Sequence, residues 1–516
     1  MKLHWIDLTV LIGYLTLVAG MGVYFSRKNI NTEEYFVGGR SFKGWIIGLS
    51  LVGTSISSIT FLAYPGDAFK TSWIRYITNL ALPVCIYIAA YLFLPFFRRG
   101  KITSAYEYLE DRFGPSVRVY GGVTFIIAQL VRISLILYLV SLLIHEITGF
   151  SLTASVLVGG VFVALYTVIG GIKAVIWTDV IQTVVLVLGG MLTLGVIVNY
   201  LPGGFRQIFS IAIADGKLSL SELTENGLKP ISWNLSLTTK TGTMLFLVGL
   251  TNWLTEYSAN QNTVQRYAAA KNTYEARKAM VVCVASSLPI WGFYMFVGTS
   301  LYVFFKVFPT IEAAEMLSGV RKAEQILPYF IMNYLPPGLT GLVIAAAMAA
   351  AMSSLDSSIN AISTVGVVDI YRRHMVKDKK DKHYLIAAWI IAGGAAIFMI
   401  GGALILNVAK TKTLQDTATI LSSITSGGLL GLYLLGFFTR KGSAKSVWIG
   451  LIITFLFTLW TILAKRGMVP EWMQVPFDLY YTGLIGNIVM FTIAIVVAVM
   501  LTDNRKKLKN LTIWDL

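Results

Sequence analysis

Residues 53–60 read GTSISSIT, and they interrupt a segment that is otherwise apolar enough to cross a membrane as a helix. Glycine, serine and threonine stand there in positions where leucine and isoleucine are expected, and the helix-breaking pair Pro65 and Gly66 follows. The pattern predicts a helix that is broken partway across the membrane. Unwound backbone at that depth is tolerated only beside a cavity, where its free carbonyl groups can coordinate a cation.

The composition of the whole chain is that of a polytopic membrane protein. The 516 residues are 56% hydrophobic and only 13% charged, and the mean hydropathy of +0.70 exceeds what a water-soluble domain tolerates. A helix needs about twenty residues to cross the hydrocarbon core of a membrane, which is about 30 Å thick. About thirteen segments meet this length, near residues 6–25, 45–66, 73–97, 116–146, 152–170, 174–200, 241–262, 276–306, 338–370, 384–408, 413–438, 445–465 and 477–501. We therefore predict an all-α membrane protein.

The positive charges predict how the chain is oriented. The formal net charge is +16, but Lys and Arg lie in short loops rather than along an aromatic-studded face, so nucleic acid is not an expected partner. Basic residues are retained on the cytoplasmic side, and the most basic segments are 96–101, 371–383, 439–445 and 503–510. We expect a multi-pass protein of the plasma (inner) membrane, with its N-terminus outside and its C-terminus in the cytoplasm. The first segment is longer than the apolar region of a signal peptide and lacks a cleavage motif, which favours its retention as a helix.

Motifs of catalysis are missing from the sequence. It contains no P-loop, dinucleotide-binding fingerprint, HExxH motif or nucleophile elbow. The longest loops, near 201–240 and 307–337, are expected outside, and each can hold a short surface helix but no enzymatic domain. Cys85 and Cys283 lie in apolar runs and the four histidines are scattered, so neither a disulfide nor a zinc site is expected. The function is therefore expected not to be enzymatic, and to lie where polar groups enter the helices.

A second interruption, GLTNWLTEYSANQN at residues 249–262, lies five crossings after the first. Two interrupted helices that each head a set of five crossings are typical of a transporter with inverted repeats. We predict one transmembrane transporter domain over residues 1–516, with repeats at about 45–200 and 241–438. One helix then leads the repeats and two follow them. The alternative is that the serine and threonine hydroxyls only hydrogen-bond to their own helices.

Two acidic residues lie inside apolar segments. Asp179 stands alone in GGIKAVIWTDVIQTVVLVLGG, and a buried carboxylate stays charged only beside a cation. Residues 352–363 read MSSLDSSINAIS, which places Ser353, Asp356, Ser357 and Asn360 on one helix face. Hydroxyl and carboxylate oxygens suit a hard cation such as sodium, whereas calcium or magnesium would require about six or more oxygens. The alternative makes Asp356 a helix cap or a surface residue near the cytoplasmic end.

Arg132 is a charged residue in the middle of an apolar segment. It lies in IIAQLVRISLILYL, residues 126–139, with no acidic neighbour in its own segment. The planar guanidinium group of arginine recognises a carboxylate through two parallel hydrogen bonds. An anionic solute is therefore one expected partner, and a structural ion pair with Glu146 or Glu256 is the alternative.

Six motifs, taken together and in this order, resemble the sodium:solute symporter family over nearly the whole chain. They are YFVGGR (35–40), GTSISSITF (53–61), ITSAYEYLEDRFG (102–114), GGIKAVIWTDVIQ (170–182), VQRY (264–267) and MSSLDSSINAISTVGVVDIY (352–371). The resemblance implies a fold similar to that of LeuT with an additional leading helix, and Na+ as the coupling ion. It implies a first sodium site at Gly53, Ile56, Ala350, Ser353 and Ser354. It also implies a second site at Asp179, Asp356 and Ser357, where position 356 departs from the hydroxyl residue that is usual in the family.

Within that family, RISLILYL at residues 132–139 is similar to the bacterial sodium-coupled sialic acid transporters, in which the arginine binds the carboxylate of the sugar. The resemblance implies a solute pocket at Ser57, Thr60, Asn79 and Arg132, although Asn79 replaces a glutamine. The implied function is sodium-coupled import of a carboxylated sugar such as sialic acid, without an obligatory protein partner. A neutral sugar, a monocarboxylate or another small solute is the alternative. An ion channel or a membrane sensor is less favoured, because the chain has no repeated filter motif and only a short tail.

Overall fold

The computed structural model describes residues 4–27, 29–98, 100–224, 227–408, 428–501 and 510–515, with the side chains of residues 58, 59, 146 and 147 left aside. The helices before residue 220 are α1 (Trp5–Ser26), α2 (Thr32–Val37), α3 (Gly44–Ser55), α4 (Ser58–Lys70), α5 (Tyr76–Asn79), α6 (Leu82–Ile88), α7 (Leu94–Arg98), α8 (Glu107–Phe113), α9 (Pro115–Thr148), α10 (Leu152–Tyr200) and α11 (Gly204–Ala214). The later helices are α12 (Gly242–Ala259), α13 (Gln261–Ala269), α14 (Thr273–Val307), α15 (Ile311–Ser318), α16 (Ile326–Tyr334), α17 (Leu339–Val365), α18 (Asp381–Val408), α19 (Leu429–Phe438), α20 (Ala444–Lys465) and α21 (Thr482–Met500). The segments Ala89–Phe93 and Gly366–Met375 continue α6 and α17 as wider π-helical turns.

The described ranges contain nine helices that are long and apolar enough to cross a membrane, or ten when the bent pair α3 and α4 counts as one span. Two of the predicted crossings, 152–170 and 174–200, are both contained in α10. A straight helix of its 49 residues would be about 70 Å long. Instead, α10 is kinked at Gly171, whose φ of 60° and ψ of −172° lie outside the helical range. Because most of the predicted crossing 413–438 lies outside the described residues, the total of thirteen stays a prediction.

Both predicted helix interruptions are confirmed. The axes of α3 and α4 differ by 57° across the residues that follow Ser55, and Ile56 ends α3 with an extended backbone. In the second half of the chain, α12 ends at Asn260, whose φ of −85° and ψ of 119° separate it from α13. Each interruption leaves terminal backbone groups of two helices without intrahelical partners.

The central element of the molecule is α17, in which almost every residue is buried. It packs against α1, α9, α10 and α18. Its first half is a run of alanine, and such small residues let neighbouring helices approach closely. An added Cβ at Gly189 of α10, for example, would lie only 2.5 Å from the Cβ of Ala346. The polar second half of α17 therefore faces other helices of the protein and not lipid.

The two long loops, each of which was expected to have room for a short surface helix, contain α11 in the first and both α15 and α16 in the second. The first loop also contains a two-stranded antiparallel sheet that the sequence analysis did not predict. Strand β1 (Ser221–Thr224) pairs with β2 (Gly227–Pro230), with Glu222 opposite Lys229. Asn-Gly at residues 226–227 is a strong hairpin signal that could have indicated it.

Candidate ion and solute site

The carboxylate of Asp179 is the centre of a buried polar cluster formed by α3, α10, α13 and α17. Its Oδ2 accepts hydrogen bonds from Ser50 Oγ at 2.5 Å and from Arg266 Nη2 at 2.8 Å. Its Oδ1 accepts a hydrogen bond from Ser353 Oγ at 2.5 Å. Asp179 is fully buried and Arg266 is 1% exposed. In this structure, the cation that the buried carboxylate of Asp179 requires is therefore the guanidinium of Arg266.

Arg266 connects the two interrupted helices to their surroundings. Besides Asp179, its Nε donates to Ser50 Oγ of α3 at 2.8 Å, and its Nη2 donates to Ser357 Oγ of α17 at 2.7 Å. Its Nη1 donates to the carbonyl of Asn262 in its own helix, α13, at 2.7 Å. In the sequence, VQRY is recognisable only as a family motif, and this role of Arg266 was not predicted. Two features of the sequence could have indicated this role: Asp179 requires a cation, and Arg266 lies just after the second interruption.

Asp356 is a second buried carboxylate, and its contacts are weaker. Its Oδ2 accepts hydrogen bonds from Tyr166 Oη at 3.2 Å and Thr178 Oγ1 at 3.3 Å, while Ser357 Oγ lies 3.5 Å from its Oδ1. No lysine or arginine of the described ranges forms an ion pair with it. Because Asp356 is fully buried within α17, the alternative of a cap or surface residue is wrong.

The residues of the predicted first sodium site lie where α3 ends against α17. An added Cβ at Gly53 would lie 2.9 Å from Ser353 Oγ and 3.0 Å from Thr183 Oγ1, so this close approach requires glycine. Ile56 is the C-cap residue of α3, and the last carbonyl groups of a helix have no intrahelical partner. Ala350 is buried one turn before Ser354 on α17.

Ser354 provides the observation that points to a ligand at this place. Its Oγ is buried and has no hydrogen-bond partner. A buried hydroxyl left unpaired costs about 1–3 kcal/mol, and a cation that it coordinates would remove that cost. Carbonyl and hydroxyl oxygens are the donors that a hard monovalent ion prefers, so the residues present fit sodium.

Replacing Ser354 by alanine should weaken sodium activation of transport about tenfold or more, because the variant loses one oxygen ligand. The fold should be retained, since Ser354 Oγ makes no hydrogen bond that the substitution could remove. Sodium titrations of uptake and of thermal unfolding measure both effects. Ser363→Ala on the same helix is the matched control, because its Oγ donates to the carbonyl of Ala388 of α18. Unchanged sodium dependence in Ser354→Ala would remove this residue from the site.

The predicted solute-binding residues lie at or just before the start of α4, on α5 and on α9. Ser57, Thr60 and Asn79 are buried, and Asn79 Nδ2 donates to Tyr64 Oη at 2.9 Å. Arg132 is half-buried on α9 and makes no hydrogen bond to Asn79.

Arg132 has no ion-pair partner among the side chains that the structure describes. Glu256, one of the two alternatives, instead accepts hydrogen bonds from Asn260 at 2.6 Å and Thr263 at 2.7 Å. Glu146, the other alternative, is fourteen residues further along the same helix, or about 21 Å in a straight helix. The guanidinium of Arg132 is thus available to a partner that is not part of the described protein.

The neighbourhood of Arg132 is shown by Gln129, one turn earlier on α9. Gln129 Oε1 accepts hydrogen bonds from Ser358 of α17 at 2.8 Å and from Asn262 of α13 at 3.3 Å. Residues three apart on a helix lie on the same side. Arg132 is therefore on the side of α9 that faces the polar half of α17 and the second interruption.

The chain is similar to known membrane transporters over almost its full length. The sequence model described as "Sodium:solute symporter family" matches residues 35–454. The sodium/sialic acid symporter SiaT of Proteus mirabilis is 31% identical over 490 residues, which are 94% of each chain. Sodium-coupled monocarboxylate transporter 1 of mouse is 29% identical over 494 residues, which are 93% of this chain and 77% of that protein.

Two solved structures extend this similarity to three dimensions. A Na+-coupled sialic acid symporter, described in a substrate-bound outward-open state with a novel Na+ site, superposes with a TM-score of 0.86 at 29% identity. The match covers 98% of this chain and 99% of that one. The nucleobase-cation symporter Mhp1 in a closed conformation superposes with a TM-score of 0.54 at 13% identity and covers 90% and 93% of the two chains. That second likeness concerns the fold alone.

Proposed function

The chain belongs to the sodium:solute symporter family, and we propose that it imports a small organic solute together with Na+ as a secondary active symporter. The proposed solute is a carboxylated sugar, sialic acid (N-acetylneuraminate). The protein is a multi-pass membrane protein, and we place its N-terminus outside the cell and its C-terminus in the cytoplasm. We assign one transporter domain to the chain, with inverted repeats at about 45–200 and 241–438, and no enzymatic reaction.

Na+ is transported cargo in this proposal, and two groups of residues would bind it. The first comprises Gly53, Ile56, Ala350, Ser353 and Ser354, and the buried, unpaired Ser354 Oγ supports it. The second comprises Asp179, Asp356 and Ser357. Because Ser353 donates to Asp179, the two groups share a hydrogen bond, so that an ion at one would affect the other.

The charges of the second group favour Asp356 over Asp179 as the residue that attracts an ion. Arg266 already neutralises Asp179 at 2.8 Å, whereas Asp356 has no basic partner in the described ranges. An ionised Asp356 beside the neutralised pair of Asp179 and Arg266 would leave an excess of one negative charge, which a single Na+ would balance. Buried charges are stable only when they are paired in this way.

Recognition of a carboxylate rests on one observation, the mid-helix Arg132 without an ion-pair partner among the described side chains. An unpaired arginine at membrane depth is costly and usually functional, and a carboxylated solute would pair with it. Ser57, Thr60 and Asn79 would bind the hydroxyl and amide groups of the sugar. A monocarboxylate is the second candidate, since it would use Arg132 equally and the monocarboxylate transporters are among the relatives. A neutral sugar would leave Arg132 unpaired.

Uptake into proteoliposomes tests this function. With an inward sodium gradient, labelled sialic acid should accumulate above its external concentration and saturate, while choline in place of sodium should abolish accumulation. Lactate and glucose serve as competitors for the two alternative solute classes. Equal uptake in sodium and choline would exclude sodium coupling, and competition by lactate alone would favour the monocarboxylate.

A further inference from the structure

A second concentration of charge lies outside the ion and solute site, near the end of α17. A cavity of about 650 Å³ is formed by the segment 32–40, the loop 101–107, Arg118 of α9 and the segment 367–384. Seven lysine and arginine side chains line it, against three carboxylates. The loops that form it are among the most basic of the chain, so it lies on the face that we propose to be cytoplasmic.

Three of these bases, Arg40, Arg118 and Arg373, already form ion pairs with carboxylates. Arg118 Nε donates to Asp369 Oδ1 at 2.6 Å, and its Nη1 donates to Glu110 Oε2 at 2.7 Å. Arg373 Nε donates to Glu110 Oε1 at 2.9 Å. Burial acts to raise the pKa of Glu110, but the hydrogen bonds from Arg373 and Arg118 outweigh it and leave the pKa below its usual value. Glu110 therefore stays ionised and occupies both arginines.

Four further bases of the cavity, Lys101, Arg372, Lys377 and Lys379, have no ion pair with a carboxylate of the described ranges. All four are exposed, and the guanidinium of Arg372 lies 4.9 Å from the ring centre of Tyr384. Like charges gathered in one concavity repel one another, and the cavity walls concentrate their field. A ligand with several negative charges would remove this repulsion.

The backbone of the cavity is strained at two positions. Arg40 has a φ of 53° and Asp378 a φ of 57°, and they are two of the three non-glycine residues with positive φ in the described ranges. Aspartate adopts this left-handed conformation more readily than arginine does. Arg40 Nε is buried without a hydrogen bond and lies 3.4 Å from Glu33 Oε1. Backbone strain that a fold maintains is concentrated at ligand sites. If these loops were basic only to keep them in the cytoplasm, their charge would be enough and no strained backbone would be needed.

We propose that this cavity binds a phosphate-bearing anion with two or more negative charges. Its volume is within the range of small-ligand pockets, and guanidinium and ammonium groups are the usual partners of phosphate. A transported solute with a single carboxylate, whether sialic acid or a monocarboxylate, would leave most of the four bases unpaired. The charge of the cavity is therefore not explained by an exit path for the solute. The anion is either free in the cytoplasm or the headgroup of an anionic phospholipid, since basic pockets on this side of membrane proteins bind such headgroups. The proposal depends on the proposed orientation but not on the identity of the solute.

Thermal unfolding of the full-length protein in neutral detergent and constant sodium tests the site. The probes are inorganic pyrophosphate, with chloride at matched ionic strength as its control, and cardiolipin, whose headgroup carries two phosphates, with phosphatidylcholine as its control. The test variant is the triple substitution Lys101→Ala, Lys377→Ala, Lys379→Ala. The three lysine side chains that it removes are exposed, so we expect the variant to fold. The matched control is Lys382→Ala, Lys441→Ala, Lys445→Ala, which removes three exposed lysines outside the cavity.

A bound anion stabilises the folded state by mass action. Pyrophosphate should raise the melting temperature of the wild type and of the control, and the test variant should bind it about tenfold more weakly, because it loses three charge contacts. The same pattern with cardiolipin alone would identify the lipid headgroup as the source. Stabilisation by neither probe, or equal stabilisation of the test and control variants, would overturn the proposal. Sodium-dependent uptake is measured separately, so this outcome is distinct from failure of the proposed transport.

Discussion

Replacing Arg266 by glutamine should abolish sodium-driven uptake and lower the free energy of unfolding by about 3–5 kcal/mol. The substitution leaves Asp179 fully buried without the cation that now lies 2.8 Å from it. Ser50 and Ser357 lose a donor at the same time. Because Arg266 joins α3 and α13 to α10 and α17, its loss also frees both interrupted helices from their fixed surroundings.

A double-mutant cycle separates the structural role of this pair from ion binding. Asp179→Asn alone should also destabilise the protein, because it leaves the guanidinium of Arg266 unpaired. The double variant Asp179→Asn, Arg266→Gln should regain a large part of the lost stability, since no charge remains uncompensated. Its sodium dependence is the decisive measurement. If Asp356 attracts the second ion, the Hill coefficient for sodium should be preserved, whereas direct coordination by Asp179 requires it to fall.

The ion pair between Lys306 and Asp215 provides the control for this cycle. It is much more exposed, with 48% and 24% of the two side chains accessible, and exposed pairs contribute little to stability. Lys306→Gln should therefore leave both uptake and unfolding close to wild type. Additive effects of Asp179→Asn and Arg266→Gln, with no recovery in the double variant, would contradict the pairing.

The interrupted helices could be predicted from the sequence because their signals are local. Polar residues are unfavourable in lipid whatever the tertiary structure of the rest of the chain. Such residues stand out in two apolar segments, as glycine, serine and threonine at 53–60 and as the polar run at 249–262. The structure has both breaks within these stretches, at Ile56 and Asn260. The same kind of signal indicated that Asp179 and the face of Ser353 and Asp356 point away from lipid.

The partners of these groups could not be predicted in the same way. Asp179 and Arg266 are 87 residues apart in sequence, and the fold brings them together because α10 and α13 both pack against α3. The hydrogen bond between Ser353 and Asp179 likewise joins residues of the two proposed sodium sites, which the sequence did not connect. The basic cavity is formed by four distant segments, and in the sequence its lysines indicated orientation only.

Replacing Arg132 by alanine should abolish measurable binding of sialic acid. A solute carboxylate would then be buried without its partner, which costs about 2–5 kcal/mol, or a loss of affinity of about thirtyfold or more. Lysine at this position should restore little, because a single ammonium group cannot form the two parallel hydrogen bonds of a guanidinium. Calorimetric titration of the purified variants with sialic acid, at saturating sodium, measures the effect.

The design must distinguish recognition of the solute from damage to the fold. Arg132 makes no ion pair with a described side chain, so Arg132→Ala should melt at nearly the wild-type temperature without solute, and sodium should stabilise it as before. Ser141→Ala on the same helix is the control, because its Oγ only donates to the carbonyl of Leu137. A lower melting temperature with normal binding by the remaining folded protein would instead assign Arg132 a structural role. Normal binding at an unchanged melting temperature would exclude carboxylate recognition by Arg132, and a neutral sugar would then become the better candidate.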